Sequence, residues 1–213
     1  MRWRWFILEI EYIYADANIP DQYRNGFIEV YKEAFGGHPY YEVYTDLEVL
    51  EGVWLPHLAF GIIVLACEGE SVVGFGCAMP LLKSPSEVQE FLRTKQRSGD
   101  FPIEFSDAWY ISELGVRITH RRQGIGTQII GQLLARILEY QCHYYCLRTA
   151  AKDSNSIRIF KRIGAIEIPG FQDVSDSEQV KVHKSQSTAR VYLYGNCEEG
   201  LRKISEIQKL HTK

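Results

Sequence analysis

Residues 108–138, AWYISELGVRITHRRQGIGTQIIGQLLARIL, hold the pattern that decides the fold. The run from Trp109 to Val116 is rich in aromatic and β-branched residues and reads as a strand. A basic turn, His120-Arg121-Arg122-Gln123, leads into Gly124-Ile125-Gly126-Thr127. Apolar residues then recur at Ile125, Ile129, Ile130, Leu133, Leu134, Ile137 and Leu138, the one-sided stripe of a helix packed on a sheet.

A strand, turn and helix of this composition suit an anion. The first N–H groups of a helix have no partner within it, and the helix dipole adds partial positive charge at the same end. Gly124 and Gly126 put no side chain where a ligand would approach, so a diphosphate can lie on those amides. Arg121 and Arg122 add two permanent charges whose forked donors match phosphate oxygens. The dinucleotide fingerprint Gly-x-Gly-x-x-Gly is not met, because Ile129 takes the third glycine's position. No Gly-Lys-Ser/Thr follows, which excludes a nucleoside-triphosphate P-loop.

Arg121-x-x-Gly124-x-Gly126, set behind Glu113-Leu114-Gly115-Val116, resembles the acetyl-CoA motif of the GNAT family of N-acetyltransferases. The resemblance implies acetyl-CoA as acyl donor and a mixed α/β fold, with a mostly antiparallel central sheet and helices on both faces. It implies a cofactor site made of Leu114, Gly115, Val116, Arg121, Arg122, Gln123, Gly124, Ile125, Gly126 and Thr127. Downstream, LRTAAKDSNSIRIFKRIGA (147–165) resembles the family's Asn-x-x-Ala-x-x-Leu-Tyr-x-x-x-Gly-Phe segment. Aligned on Gly164, Phe160 stands where the family has Tyr and Asp153 where it has Asn, with Asn155 two residues on as the substitute. Asn155 and Phe160 complete the implied cofactor site.

Composition bounds the rest. The chain has 213 residues, 46% hydrophobic and 24% charged, with a net charge of -3. It reads as one GNAT-like domain over 1–213, with an insertion near 83–107 and an extra C-terminal helix near 198–210. The near-neutral balance argues against nucleic acid as the main partner. Cys67, Cys77, Cys142, Cys146 and Cys197 form an odd, scattered set, expected as reduced thiols of a cytoplasmic protein. Cys142-His143-x-x-Cys146 lacks a second ligand pair at zinc-like spacing, so no metal is expected there. Glu9 and Glu11 break the apolar run after Met1 and no small-residue cleavage site follows, so no signal peptide is expected. No stretch approaches membrane-spanning length.

In chain order, residues 5–14 read as a strand near a sheet edge. A helix starts at Pro20-Asp21, buries Phe27, Val30, Tyr31 and Ala34, and ends at Gly36-Gly37. A second runs from Thr45, an N-cap, through Leu47, Leu50 and Val53 toward Pro56. Between them lies an aromatic loop. By the resemblance it lines the acceptor pocket, which makes His38, Tyr40, Tyr41 and Glu42 substrate contacts; the other reading is that its rings pack the loop onto the core. Gly61–Cys67 and Ser71–Met79 form a hairpin, and 83–107 is the least regular part, with a short helical piece around Ser86–Gln96, expected to be mobile or partner-facing. Strands follow at 144–149, 165–168 and 190–194, a helix at 154–163, and a final helix carrying Leu201, Ile204, Ile207 and Leu210.

The resemblance implies direct acetyl transfer to a primary amine of a small molecule or peptide, with Glu113 as general base. The alternative for Glu113 is a solvated or ion-paired strand carboxylate. Phe160 has no proton to give a departing thiolate, which leaves Tyr144, Tyr145, Cys146 or unassisted departure. The same gap admits a second function, a non-catalytic acyl-CoA sensor or interaction module. A homodimer is expected from similar proteins, with the C-terminal helix either joining it or covering the monomer's own sheet.

Overall fold

The structure is a computed structural model describing residues 9–152, 154–175 and 188–211. The start of the first expected strand and the N-terminal residues 1–8 lie outside those residues, as do Asp153 and most of the polar loop after 175. The strands are β1 (Ile10–Tyr14), β2 (Ile62–Glu68), β3 (Ser71–Pro80), β4 (Ala108–Val116), β5 (Tyr144–Ala150), β6 (Ile166–Glu167), β7 (Gln172–Asp173) and β8 (Ala189–Asn196). They form one sheet in the order β1-β2-β3-β4-β5-β8-β6, with β7 also paired to β8. Every pairing is antiparallel except β4 with β5. This is the mixed α/β architecture the sequence implied.

Helices cover both faces. On one side α5 (Ile125–Glu139) buries Ile125, Ile129, Ile130, Leu133, Leu134 and Ile137, the stripe read from the sequence. The C-terminal α7 (Cys197–His211) lies against α5, with Ile204 buried beside Gly131 and Leu134 beside Gly200, so this helix covers its own chain. On the other side α1 (Asp21–Gly36) packs Phe27, Val30 and Tyr31 against Phe75 and Trp54. The missing side chain of Gly115 belongs to this packing. A Cβ there would stand 2.5 Å from the Phe75 ring and 2.9 Å from Ala34. Arg117, just past β4, ties the layers together: Nε donates to the Val72 carbonyl, and its two terminal nitrogens sit 3.0 and 3.2 Å from Glu29 and Glu33.

Two expectations are corrected. The second helix does not stop before Pro56: a capping box between Thr45 and Glu48 starts α2 (Asp46–Val49), which continues through a π-helical turn (Leu50–Trp54) into α3 (Leu55–Phe60). The change of hydrogen-bond register falls where proline's missing N–H matters least. Residues 83–107 carry the short helix read from the sequence, but they are packed into a core of their own rather than loosely attached. They hold α4 (Ser86–Arg97), and Val88, Leu92, Phe101, Ile103 and Phe105 form a third core cluster with Tyr110, Cys146 and Tyr192. Between β5 and β6, α6 (Asn155–Arg162) buries Phe160.

Candidate active site

Two irregularities in β4 make the site. The first is a bulge opposite Cys77 and Ala78: Cys77 faces Glu113 and Ala78 faces Ile111, so Ser112 is extra. Strand side chains alternate, but an extra residue puts two neighbours on one face. Ile111, Leu114 and Val116 accordingly pack on the α5 side, while Ser112 bonds His57 and Glu113 bonds Tyr31 on the α1–α3 side. The second is a splay. Parallel pairing of β4 with β5 ends at Ile111–Leu147, yet β4 runs on to Val116 and β5 to Ala150. A cavity of about 60 Å³ opens in the wedge, lined by Ile111–Leu114, Leu147–Thr149, Phe35, Tyr40, Ser156 and Phe160.

Glu113 lines the cavity. Burial, then the nearby Glu42 carboxylate, push its pKa up to about 8 against the opposing pull of Arg148 and a hydrogen bond from Tyr31. Tyr31 is itself buried, its pKa raised well above the ordinary tyrosine value by burial and then by Glu113, and hydrogen-bonded to Tyr44. Tyr44 donates to Glu42 at 2.7 Å, and Glu42 meets Arg190 at 3.7 Å. Glu113, Tyr31, Tyr44 and Glu42 thus line up in one buried polar chain, whose three links are all hydrogen-bonded only while Glu113 carries its own proton.

Tyr40 closes the wedge. Its hydroxyl accepts from the Ala150 N–H at 3.3 Å and lies 3.2 Å from Thr149 Oγ1, with the Arg190 guanidinium 5.4 Å from its ring centre. His38 and Tyr41 do not line the cavity; they sit on the exposed side of the loop, rings edge-on at 6.0 Å, with Tyr41 43% exposed. Glu42 turns inward instead. Asn155 is exposed at the start of α6, while Ser154 beside it bonds Thr149 at 2.7 Å. Phe160 lines the cavity, 1% exposed. Tyr145 and Cys146 are buried in the cores either side of β5, and neither they nor Tyr144 line the cavity.

At the far end of β4 the basic turn is built as the sequence implied. Gly124 caps α5 with φ +84°, in the left-handed region, and no side-chain bond caps the helix start. A Cβ on Gly124 would meet nothing within 4 Å, and one on Gly126 would only graze Val116 and Ile159 at 3.8 and 3.9 Å. Space stands open over the first-turn amides. Arg121 Nε donates to the Val116 carbonyl at 3.0 Å, which fixes that guanidinium beside the strand end. Arg122 and Gln123 are exposed, Thr127 is half-buried, and the Ile125 side chain is in the core, leaving only its backbone to the site. These residues fit a diphosphate.

Ser112, His57, Tyr31, Arg148 and Arg190 are site residues that sequence reasoning missed. Only Ser112 left a signal: two adjacent polar residues, Ser112-Glu113, break the apolar alternation of β4. Among the described residues there is no group of three or more metal-ligating side chains, and no helix long and apolar enough to cross a membrane. His143 pairs with Asp107 at 2.9 Å, and all five cysteines are free.

No curated protein matches this sequence. Several solved structures share the fold. A ribosomal-protein-alanine N-acetyltransferase from Brucella melitensis matches at 14% identity and TM-score 0.60, over 89% of this chain and 99% of its own. The putative acetyltransferase yncA of Salmonella typhimurium, solved with its cofactor acetyl-CoA, matches at 12% identity and TM-score 0.61, over 89% and 94%. The NatC complex bound to Gag peptide and CoA contains a chain matching at 13% identity and TM-score 0.60, over 88% and 98%. A sequence model of the acetyltransferase (GNAT) family covers residues 24–165, which include the bulged strand, the splay and the glycine turn, and the chain belongs to that family.

Proposed function

We propose that this protein is an acetyl-CoA-dependent N-acetyltransferase acting by direct transfer to a primary amine. The observation that carries the reading is that one strand joins both halves of the reaction: β4 holds Glu113 in the cleft and ends three residues later at the open, basic helix start. Bound acetyl-CoA supplies an activated thioester. The amides from Gly124 to Thr127, with Arg121 and Arg122, hold its diphosphate. Backbone groups of Leu114, Gly115 and Val116, without a β5 partner past the splay, hold the pantetheine arm. Glu113 takes the amine's proton, and a pKa near 8 matches that task better than an ordinary carboxylate. Tyr40 contacts the acceptor inside the wedge, and His38 and Tyr41 touch larger acceptors, peptides among them, at the rim. Phe160 packs the thioester end, and the thiolate, a weak base, leaves unassisted.

Thermal stabilisation and calorimetric binding with acetyl-CoA, but not with ATP or NAD, test the donor. A panel of polyamines, amino sugars and peptide N-termini with acetyl-CoA tests the transfer. The hydroxyl missing at Phe160 favours one second reading, an acyl-CoA sensor without turnover. Tight binding with no product across that panel would select it.

A further inference from the structure

We propose that Ser112 and His57 form a nucleophilic pair in the wall of this cleft, through which the protein cleaves activated acetyl esters and thioesters when no amine is present. His57 Nε2 lies 2.7 Å from Ser112 Oγ, and His57 Nδ1 lies 2.6 Å from the Val53 carbonyl oxygen. A carbonyl can only accept, so Nδ1 carries the proton and Nε2 faces the serine as an acceptor. His57 is 3% exposed, and burial lowers its pKa, which keeps the ring neutral and able to take a proton. The serine's other neighbour, the Cys77 carbonyl at 3.3 Å, is the weaker acceptor.

Nucleophile, base and a third group orienting the base are the parts such a step needs. Each is fixed by an irregularity already described. The bulge turns Ser112 to the same face as Glu113, and the π-helical turn contains Val53, whose carbonyl holds the ring. Ser112 lines the cavity, and β4 past the splay offers backbone donors for an oxyanion. Ser112 Oγ attacks the acetyl carbonyl and passes its proton to His57 Nε2; the bond to sulfur or to the leaving oxygen breaks, and the leaving group takes that proton. Water, deprotonated by His57, then attacks the acetyl-serine. Acetic acid leaves, the proton on His57 returns to Ser112, and the sum is ester or thioester plus water giving acetate, a proton and thiol or alcohol.

The pair rests on the proposed donor only for its thioester substrate, so the test begins without CoA. The full chain with p-nitrophenyl acetate should release p-nitrophenolate at about 10²-fold or more above buffer, and His57→Gln should remove most of that gain. Ser112→Ala should return the rate to that of buffer. Phenylmethylsulfonyl fluoride should label Ser112 in the unaltered chain, by peptide mapping, which requires no variant to fold. Release at the buffer rate, or release unchanged in Ser112→Ala, overturns the proposal. Ester cleavage by a chain with no affinity for CoA would retire the proposed donor and keep the pair. Amine acetylation by a chain whose Ser112 is inert would retire the pair alone.

Discussion

Glu113 is where function and stability pull against each other. An unfolded glutamate ionises near 4.5, and in the fold burial and Glu42 push this one up to about 8. Its contribution to stability is therefore fully present below pH 4.5, falls as pH rises, and is lost by about 8. Glu113→Gln should stabilise the fold by roughly 2–4 kcal/mol at pH 9 but not at pH 4, by chemical denaturation, while lowering turnover about 10²-fold or more. The wild type's kcat/KM should climb toward pH 8 as the base loses its proton, and a flat profile would remove Glu113 from that role. Phe160→Tyr should leave CoA affinity intact and turnover unchanged or raised; a large drop would show that the ring packs where a hydroxyl cannot. Glu113, Tyr40 and Phe160 were legible because each sits in or beside a recognisable stretch. His57 was not, since it reaches Ser112 across 55 residues and a lone histidine in a short helix carries no pattern.

At the scale of elements, short-range rules accounted for most of what was readable. The α5 stripe, the β2–β3 hairpin at Gly69, the Thr45 cap and the final helix follow from spacing and turn chemistry. The bulge and the splay did not, because both depend on which strands lie alongside β4. In 83–107 the short helix was readable but its burial was not, for a related reason: Val88 and Leu92 make a sparse stripe, and their cluster is completed by β5 and β8. The helix start yields a paired prediction. Gly126→Ala should bind CoA nearly as the wild type does, since its Cβ finds ordinary contact distances, whereas Gly126→Asp sets a like charge against the diphosphate and should weaken binding at least tenfold. Calorimetry on the two variants separates charge from bulk, and equal affinities would place the diphosphate elsewhere.

Taken whole, the molecule stacks three apolar clusters around one sheet, and the polar chain from Glu113 to Arg190 runs through the side that carries the cleft. Removing one partner of a buried ion pair strands the other, so Glu42→Ala should cost about 3–5 kcal/mol by chemical denaturation. Ile204→Ala, on the opposite face, should cost about 2–4 kcal/mol and leave CoA affinity untouched, because α7 supports α5 without reaching the cleft. The parted edges of β4 and β5 have a further consequence. A zip left half undone keeps peptide groups facing water where its neighbours trade bonds, and an extended guest of the right length finishes the fastening. Deuterium uptake at the gap-facing amides of Leu114, Val116 and Arg148 should therefore be quick in the free protein and slow once the acyl carrier lies between them.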